Sequence, residues 1–146
     1  MKRRLRIAGL VLAVVVVVAT VVVTGAIPLG TVILRLDQET YRPDETITLT
    51  IRSLRTGVVQ FGDPFAVQRL EDGDWVDVPL DRVWLAWLAG RGPGQAFSQS
   101  FVPAEHFFEA PEPGRYRVVK EVQVGMIHAG ADRETKILYA EFHIES

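Results

Sequence analysis

From residue 31 to the carboxyl end, apolar residues recur at every second position in short runs, the pattern of strands with one buried face. The clearest run is residues 46–52, where Ile47, Leu49 and Ile51 fall on one side and Thr46, Thr48, Thr50 and Arg52 on the other. Val32, Leu34 and Leu36 make a similar face before it, and Pro43 and Asp44 supply turn residues between the two. A third strand is expected over residues 65–70. Glu71-Asp72-Gly73-Asp74 then reads as a tight hairpin, because Asp-Gly accepts the positive φ angles that such a turn needs. Residues 75–78 form the return strand, stopped by Pro79.

Two later segments alternate as well. Residues 97–101 read Phe, Ser, Gln, Ser, Phe, and near the end Leu138, Ala140, Phe142 and Ile144 share a side. Between them, Pro113-Gly114 leads into a strand with Tyr116, Val118, Val122 and Val124 on one face. Lys120 has the same parity as these core residues, so it must snorkel at the sheet margin, meet a carboxylate or mark a bulge. Residues 81–90 fit a short strand or a short helix equally well. With turn signals at short intervals and no long 3.6-residue period, the chain is expected to be all-β, an antiparallel sandwich.

The amino-terminal end is different. Residues 7–34 contain no charge, and VLAVVVVVATVVV lies at their centre. About 20 apolar residues span a bilayer as a helix, and in lipid the helix is the local way to satisfy the backbone. Residues 7–29 are therefore expected to form one amino-terminal transmembrane helix, a signal anchor. Lys2, Arg3, Arg4 and Arg6 place residues 1–6 in the cytoplasm and residues 31–146 outside it. The competing reading is a signal peptide cleaved near Thr24-Gly25-Ala26, giving a secreted domain. Its apolar region would exceed the usual length of about 7–15 residues.

Charge removes one class of partner. Four of the sixteen basic residues precede residue 7 and all eighteen acids follow residue 36, so residues 31–146 carry twelve bases against eighteen acids, net −6. A domain of that sign gives no electrostatic basis for binding nucleic acid. The chain has no cysteine, which removes disulfides, thiolate metal sites and a lipid-bearing amino-terminal cysteine.

No catalytic constellation is visible. His106, His128 and His143 lack zinc-motif spacing, and residues 90–94, GRGPG, lack the strand-to-helix context of a phosphate cradle. Ser98 and Ser100 fall on the solvent face of their strand, outside any nucleophile motif. Glu71, Asp72, Asp74, Asp77 and Asp81 make an acidic cluster of the kind that can bind calcium, but the EF-hand order is missing and Asp72-Gly73 is explained by the hairpin. No cofactor or metal is expected.

The order of these pieces resembles the bacterial immunoglobulin-like domains of surface and secreted proteins. The resemblance lies in Tyr41-Arg42-Pro43-Asp44-Glu45 before an alternating strand, Phe61-Gly62-Asp63-Pro64-Phe65, Asp72-Gly73-Asp74-Trp75, Val78-Pro79, and Pro113-Gly114-Arg115-Tyr116-Arg117. It implies an immunoglobulin-like sandwich serving as a non-enzymatic binding, assembly or spacer module, with the apolar helix replacing a lipid tether. A second family of similar fold, the small intracellular proteinase inhibitors, resembles the chain at residues 41–51 and 113–116. It implies an exposed loop, such as RGPG, inserted into a protease.

Within an immunoglobulin-like frame, Tyr116 is expected to be a tyrosine corner and Trp75 a tryptophan between the sheets, with Gly73 and Gly114 at turns. Trp84, Trp87 and Arg91 are the candidate partner-binding residues, because exposed aromatic and arginine side chains anchor interfaces. Whether the two tryptophans face solvent or the core is open at this point. The partners expected are the membrane, through the helix, and a protein.

Overall fold

A computed structural model describes residues 31–54, 57–86, 88–125 and 133–146. Contacts divide the chain into Met1–Thr31 and Val32–Ser146, and every described element belongs to the second unit. The expected transmembrane segment, residues 7–29, lies outside the described residues. Among those described, no helix is long and apolar enough to cross a membrane.

The alternating runs become strands β1 (Val32–Leu36), β2 (Thr40–Tyr41) and β3 (Ile47–Ser53), followed by β4 (Val58–Gly62), β5 (Ala66–Glu71) and β6 (Asp74–Val78). After these come β7 (Leu88–Arg91), β8 (Ala96–Phe101), the four-residue helix α1 (Pro103–His106), β9 (Gly114–Gly125) and β10 (Glu134–Ile144). One sheet has the order β1-β3-β8. The other has the order β2-β10-β9-β4-β7, with β5 joining β9 and β6 joining β5. All pairings are antiparallel except the short β2–β10 contact, where His143 and Ile144 run parallel to Thr40 and Tyr41.

The buried faces follow the alternation. Ile47, Leu49 and Ile51 of β3 meet Tyr116, Val118 and Val122 of β9 and Phe142 and Ile144 of β10 in one core, to which Phe65, Phe101 and Phe107 add aromatic rings. Tyr41, Phe142, Tyr116 and Phe107 form a chain of ring contacts with centroids 5.5–5.9 Å apart, an arrangement that adds to simple area burial.

The hairpin at residues 71–74 is as expected: Asp72 (φ 49°) and Gly73 (φ 97°) join β5 to β6. A side chain at Gly73 would meet no atom, so backbone conformation and not space favours glycine there. Gly114 opens β9 at φ 158°, a positive angle that residues with a side chain rarely adopt.

Three differences concern points that the alternation left open or did not show. The ambiguous segment 81–90 forms no helix among its described residues and ends in β7. Strand β4 and helix α1 were not legible; α1 begins at Pro103, which suits a first helical position. The third difference concerns β9, which faces two strands in succession along one side. Val58–Gln60 of β4 pair with residues 125–123, and Ala66–Arg69 of β5 pair with residues 119–116. Residues 61–65 thus lie opposite residues 120–122, and the ladder is interrupted there.

Candidate functional site

The interruption exposes backbone carbonyls inside the sandwich, where water cannot serve them and an unmet acceptor is costly. Lys120 supplies the donors. Its side chain is fully buried, 0% exposed, and its Nζ donates to the carbonyl oxygens of Gly62 (2.7 Å), Asp63 (3.0 Å) and Pro64 (2.9 Å). A fourth acceptor, Gln99 Oε1 on β8, lies at 2.8 Å. The ring of Phe61 sits 5.7 Å from the same nitrogen. Lys120 therefore neither snorkels nor pairs directly with a carboxylate. β9 itself pairs without a bulge against β10 from Gly114 to Val124; the irregularity is on the strand facing it.

Gln99 carries the network onward. Its Nε2 donates to Asp63 Oδ1 at 2.7 Å and to the Asp63 carbonyl at 2.9 Å, so the amide stands between the ammonium and the carboxylate with each end facing its complement. Burial pushes the Lys120 ammonium down to about 8, partly opposed by the Asp63 carboxylate and slightly assisted by Arg82.

The second oxygen of Asp63 reaches the connection between β6 and β7. Oδ2 accepts the Leu85 N–H at 2.9 Å. Burial alternates along this connection, with Arg82 and Trp84 half-buried and Val83 and Leu85 exposed. Arg82 and Trp84 turn inward: Arg82 Nη1 donates to the Ser100 carbonyl at 3.0 Å, and its guanidinium lies 5.3 Å from the Phe65 ring and 5.0 Å from the Trp84 ring. Trp84 packs edge-on against Phe65, with centroids 4.9 Å apart. Val83 and Leu85 turn outward and are 86% and 64% exposed. Leu88, at the start of β7, is exposed as well. Two apolar side chains are thus held in solvent by a loop that is fastened to the core at both Arg82 and Leu85.

The residues singled out from the sequence divide around this loop. Trp84 is half-buried and acts as an anchor beneath the exposed positions. Trp87 lies outside the described residues. Arg91 folds back, its guanidinium 5.2 Å from the Phe97 ring and donating to the Gly90 carbonyl at 2.9 Å. The RGPG turn beside it is closed by hydrogen bonds from Gly94 N–H to the Ser53 carbonyl (2.7 Å) and from Gln95 N–H to the Gly92 carbonyl (3.2 Å).

Tyr116 has the corner geometry, its buried hydroxyl donating to the Glu112 carbonyl at 2.7 Å. Tyr41 has a comparable role at the other side of the core, its hydroxyl donating to Asp37 Oδ1 at 2.7 Å and accepting the Gln38 N–H at 2.8 Å. Trp75 is not the tryptophan between the sheets. It is half-buried on the outer face of the larger sheet, where the Arg117 guanidinium lies 4.3 Å from its ring and 4.5 Å from the ring of Tyr139. Lys120 and Gln99 are buried within the sandwich instead.

Val83, Leu85, Asp63 and Gln99 were missed as site residues. Gln99 shares parity with Phe97 and Phe101, as Lys120 does with Val118 and Val122, and two polar residues at core parity are the sequence sign of such a network. Among the described residues, no group of three or more histidines and carboxylates is placed to hold a metal.

The two sheets and their order of strands make an all-β, largely antiparallel sandwich. The bacterial Ig-like domain family matches residues 29–143, and the chain belongs to that family. No curated protein matches the sequence. Among solved structures, the chain is similar to the ASH/PapD-like domain 7 of human CEP192, at 13% identity and a TM-score of 0.39, covering 82% of this chain and 89% of that one. The alkylpurine DNA glycosylase AlkC of Pseudomonas fluorescens, bound to DNA containing an abasic-site analogue, is similar at 17% identity and a TM-score of 0.42, over 86% of this chain but 33% of the glycosylase. The CooA pilin subunit of enterotoxigenic Escherichia coli is similar at 12% identity and a TM-score of 0.30, over 80% of this chain and 99% of the pilin.

Proposed function

We propose that the chain is a non-enzymatic binding or assembly module, anchored by its amino-terminal apolar helix, that engages a protein partner outside the cytoplasm through the loop between β6 and β7. The observation that carries this reading is the outward placement of Val83 and Leu85 on a loop fastened through Asp63 and Arg82. Exposed apolar residues usually cost a protein nothing when scattered singly, but here two neighbours are presented on an ordered loop, with Leu88 also exposed a few residues on. An ordered loop also loses less entropy on binding than a free one. The anchor reading rests on the uncharged length of residues 7–34 and the basic residues before it.

A photo-crosslinking amino acid placed at Val83 of the full-length chain, in cells that make it, tests the surface. A discrete adduct that is absent when the same group is placed at the exposed Ser98 supports the reading. Equal labelling from both positions, or none from Val83, removes it. An amino-terminal epitope tag tests the anchor separately, since its loss from the mature protein means cleavage.

A further inference from the structure

Strand β6 offers an open edge on the opposite side from its partner. Among the described residues it pairs with β5 and with no other strand. In a two-residue hairpin the flanking residues exchange main-chain hydrogen bonds, and bonded and non-bonded pairs alternate from there. Starting at Glu71 and Asp74, this puts the ladder bonds at Arg69 with Val76 and at Val67 with Val78. The N–H and C=O groups of Trp75 and Asp77 therefore face the open side.

Just beyond β6 the chain gains another neighbour. Leu80 bridges Phe107, and the Phe108 N–H donates to the Pro79 carbonyl at 3.1 Å. Before that junction, residues 76–79 and 109–112 contribute to the lining of a groove of about 270 Å³. Val76, Val78, Phe107 and Tyr116 supply its apolar lining. Its charged lining is Glu71, Asp77, Glu109 and Glu112 against the single base Arg69. Arg69 is already held by Glu112, and Glu71 lies 3.7 Å from it. Asp77 accepts a hydrogen bond from Gln68 Nε2 at 2.8 Å, and among the described residues neither it nor Glu109 has an ion pair.

We propose that this groove takes an extended peptide segment that adds to β6 as a further strand, its apolar residues meeting Val76 and Val78 and its lysine or arginine side chains meeting Asp77 and Glu109. Strand addition satisfies the outward main-chain groups, and alternate side chains give specificity. Charge selects the occupant. Asp74 and Asp77 set like charges against the same edge of a second copy, whereas a basic strand is complementary to them.

The full-length chain, kept in solution by a neutral detergent, is titrated with an eight-residue peptide alternating valine and lysine. The comparison peptides are its glutamate counterpart and two lysine peptides N-methylated at alternate nitrogens of opposite parity. The lysine peptide is expected to bind saturably and to shift the amide resonances of Trp75 and Asp77, with the glutamate peptide at least about tenfold weaker. One N-methylated peptide should lose binding and the other keep it, because an added strand bonds through one of its edges. Asp77→Lys combined with Glu109→Lys should weaken the lysine peptide at least about tenfold. No saturable binding, equal affinity for the lysine and glutamate peptides, or equal behaviour of the two methylated peptides overturns the proposal. The peptide series decides the matter by itself if the double variant does not fold.

Discussion

The Nζ of Lys120 on β9 donates to Oε1 of Gln99 on β8 at 2.8 Å, a hydrogen bond that joins the two sheets through the middle of their shared core. It links a buried cation, an amide and a buried carboxylate in series, and the carboxylate of Asp63 in turn holds the loop that presents Val83 and Leu85. The interior of the domain and its candidate binding surface are therefore one hydrogen-bonded unit.

Stability should depend on pH through that unit. Burial lowers Lys120 from 10.5 to about 8, so between these values the unfolded chain holds the proton and the folded chain releases it. Stability accordingly rises with pH across this window, while below it the cost of burying the charge is present in full. A shift of that size corresponds to about 3 kcal/mol. Above about pH 10 the sign reverses, because burial holds the hydroxyls of Tyr41 and Tyr116 above their ordinary value and the unfolded chain ionises first. Urea unfolding from neutral to alkaline pH is expected to show a maximum at about pH 10. Lys120→Met should lose the rise and keep the fall, and at neutral pH should cost about 2 kcal/mol or more by leaving buried acceptors without a donor. A flat profile in the unaltered chain contradicts the assignment.

Tyr116→Phe removes only the hydroxyl that meets the Glu112 carbonyl. The expected cost is about 1 kcal/mol, the scale of one hydrogen bond, read as a lower melting temperature with the fold retained. An unchanged melting temperature means that the corner bond contributes nothing.

Arg117 lies over Trp75 and Tyr139 on the outer face of the larger sheet and donates through Nε to Gln68 Oε1 at 2.7 Å. Arg117→Ala should uncover the Trp75 ring, raise its quenching by acrylamide and cost about 1 kcal/mol, given cation–π attraction of that order. Tryptophan quenching identical to that of the unaltered chain would show that the guanidinium does not shield the ring.

Much of the fold was legible because alternation is local. Val32 to Leu36, Ile47 to Ile51 and the run to Ile144 each carry their burial pattern in their own residues, and Asp72-Gly73 carries its turn in its own backbone preference. Strand β4 was not legible, because its place depends on pairing with residues 123–125 of β9 and 88–91 of β7, far away in sequence. Trp75 was misplaced for a related reason: side-chain size favours a core position, but the register of β6 against β5 puts it on the outer face beside Arg117. Lys120 stood out by its parity, whereas its partners are carbonyls of residues 62–64, which carry no side-chain signature at all. Exposure of Val83 and Leu85 follows from the bond between Asp63 and the Leu85 backbone, a contact that spans 22 residues.

The claim that the buried network holds the presenting loop is tested most directly by hydrogen exchange at the Leu85 amide, which donates to Asp63 Oδ2 at 2.9 Å. The account predicts slow exchange in the unaltered chain, and exchange at least about tenfold faster in Asp63→Ala, while the Leu49 amide within β3 stays protected. An unprotected Leu85 amide in the unaltered chain, or one indifferent to Asp63→Ala, would contradict it.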